Sequence, residues 1–255
     1  MGKKGGGKHI KRKPAPRFWP LHRKELVWTI KPRPGPHPVS DCIPLLLVIR
    51  DVLDLAETRK EAKTVISQGK IEIDGKIRRD ERFPIGLMDV LSIPSLEERY
   101  RVLPSESGLT LHNVDSEEAG FKLCRIEDKH TVKGGHLQLN LHDGRNLLVE
   151  LEEAKNPEED IYQTLDVLKM SIPDREILEH SSLAEKKAAL IVGGKNVGRH
   201  GTIVDIEDRP GQERRSLLAT IEDPDGNRFQ TVIDLVFPLG DETTWISLPE
   251  SERVV

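Results

Sequence analysis

The sequence predicts a multi-module α+β chain: a basic extended N-terminal arm, a unit of two helices plus a small sheet, a β-rich central domain, and a small β-barrel. Three observations predict it. Aromatic residues are only 4% of 255 residues against 36% hydrophobic, which excludes one large aromatic core and favours several small aliphatic ones. After residue 105 the apolar runs are short and punctuated by Gly and Pro turn signals. Charge is unevenly placed: residues 1–38 carry eleven Lys and Arg against Glu25 alone, leaving 28 basic and 42 acidic residues for the rest. The net charge of −4 and pI near 6.2 therefore describe neither part.

The arm is placed at residues 1–40. Pro32, Pro34, Pro36 and Pro38 remove amide donors and fix φ, so this stretch cannot be a helix or an inner strand. Phe18, Trp19 and Trp28 interleave with the cations, the mixture that base stacking beside phosphate neutralisation needs. Lys3, Lys4, Lys8, Lys11, Arg12, Lys13, Arg17 and Arg33 are the expected phosphate contacts. Trp19 or Phe18 either stacks on RNA or anchors the arm against protein.

The second unit is placed at 41–104. Pro44 suits a helix first turn, and Leu45, Leu46, Ile49, Val52, Leu53 and Ala56 recur at helical spacing. Thr58 and Glu61 form a capping box opening a second helix with Ala62, Val65 and Ile66 inward, ended by Gly69. Lys70–Ile73 alternates as a strand, Asp74-Gly75 signals a hairpin, and Asp89–Ile93 reads as a returning strand. Arg59, Lys60 and Lys63 share the side opposite the apolar stripe and, with Arg78 and Arg79 after the hairpin, are candidates for a phosphate-binding face.

The β-rich centre, 105–173, holds strands at 109–114, 122–126, 137–141 and 147–149, with a His142-Asp143-Gly144 turn. The acidic run Glu150 to Asp160 reads as an exposed loop turned away from any polyanion. The last unit, 174–255, shows five short strands at 188–192, 201–206, 217–222, 228–233 and 236–239, the pattern of a small barrel. Its loop, Gly193 to Gly201, offers Lys195, Asn196 and Arg199 with backbone amides for phosphate or ribose.

Several chemistries are excluded by pattern. Asn196 follows Lys195 where a Walker motif needs Ser or Thr, and the glycines miss the dinucleotide-binding spacing. No H-E-x-x-H, no G-x-S-x-G and no CxxC occurs, and Cys42 and Cys124 are far apart. No catalytic site, metal, cofactor or small-molecule substrate is therefore expected. The longest apolar run, Ile43 to Ile49, falls short of a membrane span, no apolar h-region follows the cationic N-terminus, and a reduced cytoplasmic chain is expected.

Several strings resemble the small-subunit ribosomal protein family S-four-e of archaea and eukaryotes: Arg33-Pro34-Gly35-Pro36-His37, Ile43-Pro44-Leu45, Phe83 to Val90, Tyr100 to Leu103, Leu141 to Gly144, and Gly194 to Gly201. The resemblance reaches Trp245 to Pro249, nearly the whole chain. It implies that 41–104 is an alpha-L RNA-binding motif and that the Gly-rich loop belongs to a KOW motif on an SH3-like barrel. It further implies an archaeal, non-enzymatic constituent of the small ribosomal subunit, bound to small-subunit rRNA and to neighbouring ribosomal proteins in the cytoplasm. The net acidic charge departs from the strongly basic family pattern. Two other classes fit the sequence less well. An RNA-modifying enzyme needs a synthase or cofactor-binding domain for which no room exists, and a KOW-type transcription factor leaves the arm and the two-helix unit without a role.

Overall fold

A computed structural model describes residues 9–21, 27–150, 161–207, 214–241 and 243–249. Residues 151–160 of the acidic loop expected at 150–160 and the lysines Lys3, Lys4 and Lys8 lie outside these residues.

The arm is not a free extended tail. Strands β1 (Ile10–Lys11) and β2 (Trp28–Thr29) pair antiparallel as a short ribbon. Ala15, Trp19 and Ile30 are buried in one cluster with Leu45 to Ile49, Ala62 and Ile66. The arm's few apolar side chains make it a strap on the next unit rather than a thread in solvent, because burying an indole and an isoleucine outweighs leaving them in water.

That unit opens with β3 (Cys42–Pro44). The helix expected over 45–56 is one α turn, α1 (Leu45–Leu47), that widens into a π-helical turn at Val48–Val52. Leu53 N–H donates to the Val48 carbonyl at 2.9 Å, five residues back. Leu45 through Ile49 are all buried, more than one face of a helix can cover, and the strap encloses them together with the sheet. Helix α2 (Arg59–Ser67) begins at the expected capping box: Glu61 N–H donates to Thr58 Oγ1 at 3.3 Å and Thr58 N–H to Glu61 Oε2 at 3.4 Å. Gly69, at φ 75°, ends it.

Strands β4 (Glu72–Ile73) and β5 (Lys76–Ile77) form the Asp74-Gly75 hairpin, both turn residues having positive φ. β6 (Pro84–Gly86) pairs with β3, whereas β7 (Val90–Ile93), β8 (Glu98–Ser105) and β9 (Gly108–Asn113) complete a sheet in the order β5-β4-β7-β8-β9. The border expected between 104 and 105 thus falls inside the β8–β9 hairpin. Pro104 is tolerated within β8 because β7 pairs with β8 only as far as Arg101, so no donor is missed there.

β10 (Phe121–Thr131), β11 (Leu137–Leu141), β12 (Asn146–Val149), β13 (Val167–Ser171) and β14 (Ile177–Ser181) form a second sheet in the order β12-β11-β10-β13-β14. The border expected at 173/174 lies in its last hairpin. The C-terminal sheet holds β15 (Ala188–Ile191), β16 (His200–Glu207), β17 (Leu218–Glu222), β18 (Arg228–Val232) and β19 (Val236–Pro238) in the order β18-β17-β16-β15-β19, around Ile203, Ala219, Ile221 and Val236. Among the described residues no helix is long and apolar enough to cross a membrane.

Candidate nucleic-acid interface

Helix α2 turns Ala62 and Ile66 inward, which leaves Arg59, Lys60 and Lys63 exposed. The segment 78–82 runs beside it in the opposite sense. Glu81, near the helix start, accepts from Arg59 at 2.8 Å, while the Arg79 guanidinium lies across Gly69 at the helix end. The neighbouring carboxylate, Asp80, pairs with Arg33 of the strap at 3.0 Å. Arm, helix and segment 78–82 therefore present their cations together, with Arg33 and Arg59 each half neutralised by an exposed or partly exposed ion pair worth little to stability. Arg78 is less available than expected, its guanidinium stacked 4.3 Å from the Phe83 ring centroid.

Within the strap, Lys11, Lys13 and Arg17 are exposed. Two expected contacts are corrected. Arg12 points inward, its Nε and Nη2 donating to the Leu21 carbonyl at 3.2 and 2.9 Å and closing the loop between the two strands. Trp19 is only 2% exposed and its Nε1–H donates to the Cys42 carbonyl at 2.7 Å, so the anchoring alternative holds and its ring offers no face to a base. Phe18 is likewise turned onto protein, against Gly108. The aromatic that does reach solvent is Trp28, 55% exposed, which sequence reasoning named but did not choose.

The Gly-rich loop leaves Lys195 and Arg199 exposed and Asn196 half-buried. Arg199 N–H donates to the Asn196 carbonyl at 3.2 Å, and its guanidinium stands 5.6 Å from the Phe229 ring centroid. Gly198, at φ 84°, lies against Pro104 and Ser105, where a Cβ would come within 3.0 Å of the Ser105 backbone. The turn between β8 and β9 is thus flanked by Phe18 of the strap and by Gly198 of the loop, which brings those two candidate regions to one place.

What fixes these surfaces relative to one another is a buried charge cluster that sequence reasoning missed. Lys122 of β10, 1% exposed, donates to Asp74 at 3.0 Å and to Asp89, and lies 3.3 Å from Asp143. Arg145 joins Asp74 at 2.5 Å and Asp143 at 3.1 Å. His37 Nε2 meets Asp89 at 3.1 Å, and Asp89 also accepts from Gly86 N–H at 3.0 Å. The strap, the two-helix unit and the central sheet all enter this cluster. Burial alone raises the Asp89 carboxyl, but Lys122 and His37 outweigh it and hold it well below the usual range. Burial alone lowers the Lys122 ammonium, and the carboxylates, led by Asp89, overturn that and raise it.

His142 packs beside this cluster, accepting from Arg125 N–H at Nδ1 (3.1 Å) and donating from Nε2 to the Leu87 carbonyl (3.2 Å). Burial, then the Lys122 charge, press its pKa down to about 3, and the two backbone partners fit one neutral tautomer. Arg125 in turn donates to the carbonyls of Asp234 (2.7 Å) and Val236 (3.0 Å), tying the C-terminal sheet to the centre. Burial pushes both thiols, Cys42 and Cys124, up to about 12, so each is protonated at neutral pH. Among the described residues no group of His, Cys, Asp and Glu has metal-binding geometry.

Comparison with known proteins gives these features a family. The model described as Ribosomal family S4e matches residues 96–177, the RS4NT (NUC023) domain matches 4–40, and the S4 domain matches 51–91, which spans α2 and segment 78–82. The small ribosomal subunit protein eS4 of Staphylothermus marinus is 50% identical over 98% of this chain and 99% of its own length. That of Methanocaldococcus jannaschii is 45% identical over 97% and 100%. The crystal structure of the 30S ribosomal protein S4e from Thermoplasma acidophilum superposes with a TM-score of 0.66 at 30% identity, covering 81% of this chain and 99% of that one. With 45–50% identity to the two eS4 proteins over 97–98% of its length, the chain belongs to the S4e family of small ribosomal subunit proteins.

Proposed function

We propose that the chain is a non-enzymatic structural constituent of the small ribosomal subunit that binds small-subunit rRNA and supports translation in the cytoplasm. The observation that carries this reading is the strip formed by α2, segment 78–82 and the strap, where Lys60 and Lys63 are exposed cations with no carboxylate partner among the described residues. Such a strip contacts phosphate and groove shape rather than base edges. In this reading residues 41–104 work as an alpha-L motif, with Arg59, Lys60, Lys63 and Arg79 along the RNA backbone. The C-terminal sheet works as an SH3-like barrel whose KOW loop offers Lys195, Asn196 and Arg199, and Lys11, Lys13, Arg17 and Arg33 extend the contact along the strap. Neighbouring small-subunit proteins are the other partners.

The test is sedimentation of a native lysate through sucrose gradients at low and moderate salt. Comigration with the small subunit at both is the expected result. Residence in the soluble fractions at every salt overturns the reading.

A further inference from the structure

Trp19 and Trp28 sit nine residues apart in the same strap and meet opposite fates, one 2% and the other 55% exposed. The ribbon of β1 and β2 explains the difference. Its register pairs Ile10 with Thr29 and Lys11 with Trp28, so alternate residues face opposite ways. Ile10 packs on the core with Trp19, whereas Lys11 and Trp28 face out as a cross-strand pair. The Lys11 ammonium stands 5.1 Å from the indole centroid, and the His9 ring meets it edge-on at 5.8 Å. Among the described residues no carboxylate forms an ion pair with Lys11.

We propose that Trp28, with Lys11 and His9 beside it, is a stacking platform for an unpaired nucleobase of the rRNA. The indole supplies a π face that any base can use, and Lys11 supplies the charge for the adjoining phosphate. The half-exposed indole touches Lys11 and His9 but takes no part in the buried core, while its cationic frame suits a polyanion better than an ordinary protein surface. This inference rests on the rRNA-binding reading above and names one nucleotide subsite within it.

The experiment measures binding of the full chain to a folded small-subunit rRNA transcript, across a salt series. Trp28→Ala is expected to weaken binding about 5- to 100-fold with an unchanged salt slope and unchanged melting temperature, because no charge and no core contact is removed. Trp28→Phe should recover most of the loss and Trp28→Leu little of it. Native affinity in Trp28→Ala overturns the proposal, as does equal recovery by Leu and Phe. So does a Trp28→Ala chain that binds rRNA normally but enters reconstituted subunits poorly, which would place a protein against the indole. If the unsubstituted chain fails to bind the transcript, the rRNA-binding reading itself falls, a result distinct from any loss confined to Trp28.

Discussion

Lys122 and Lys63 carry the same ammonium group in opposite settings. Lys122 is 1% exposed, ringed by Asp74, Asp89 and Asp143, and touches residues from two modules. Lys63 stands in water on the outer face of α2 with no carboxylate beside it among the described residues. The first can act only on the protein's own architecture, because its charge is fully compensated within. The second adds little to stability and its field is spent outward. Arg101 and Arg125 side with Lys122: Arg101 is fully buried and donates to the Glu118 and Phe121 carbonyls at 2.8 and 3.0 Å. Buried cations here fasten modules, and exposed cations are left open to solvent and, in the proposed function, to the polyanion.

The sharpest way to break this contrast is to remove the buried ammonium. Lys122→Met leaves three carboxylates crowded without their shared cation, and loss of one partner in a buried ion network costs about 3–5 kcal/mol. For a chain of this size that corresponds to roughly 6–20 °C in melting temperature. Lys63→Met should shift it by less than about 0.5 kcal/mol. Similar melting curves for the two variants would remove the distinction.

Acid is a gentler probe of the same cluster. The folded-state pKa of His142 lies at about 3, below its unfolded value near 6.5, so the unfolded chain binds the extra proton between those limits. The contribution is therefore intact above pH 6.5 and is lost as pH falls toward 3, by at most about 1.4 kcal/mol per pH unit. Asp89, also depressed, adds a loss of the same sign below the usual carboxylate range. Melting temperatures of native protein and His142→Gln from pH 7 to 4 should converge as pH falls. Parallel curves would mean that His142 does not carry the proton.

Much of this was legible in the sequence, and what was not has a physical cause. The Thr58–Glu61 box, the Asp74-Gly75 hairpin and all five C-terminal strands are local signals and appear where expected. Lys122 opens a run of five buried residues in β10, and its carboxylate partners Asp89 and Asp74 lie 33 and 48 residues back, beyond any periodicity. Yet the family strings ending in His37, spanning Phe83 to Val90, and ending in Gly144 converge there. Gly86 leaves room for the His37 ring, and Gly144 lies against the Pro36 carbonyl. The residues most useful for recognising the family are thus the fasteners, not the exposed cations. For the interface, charge pattern located the strip on α2 but not the inward turn of Arg12 and Trp19, which the strap's packing decides.

The outward cations are sharpened by salt rather than by heat. Neutralising Lys60 and Lys63 together to Gln should lower the slope of log affinity against log salt by about two, with no change in melting temperature, as expected for two phosphate contacts. A matching pair of neutralisations at Lys133 and Lys186, both exposed and distant from the strip in sequence, removes the same two charges and should leave the slope within about one-half of native. Equal slope changes for both pairs would mean that net charge, not the strip, governs binding.

The smallest expected effect tests whether display of the strip can be separated from its charge. Thr58→Ala removes the side-chain acceptor for Glu61 N–H at the start of α2 and should cost about 1 kcal/mol, roughly 2–4 °C. It takes away no cation, and Ala62 and Ile66 remain buried to hold the helix on the core. The salt slope of rRNA binding should therefore stay native while the melting temperature falls, the reverse of the Lys60 and Lys63 result. A Thr58→Ala chain that lost slope as well would show that the first turn of α2 must be fixed for Arg59 and Lys60 to reach phosphate, and that on this face stability and recognition are a single property.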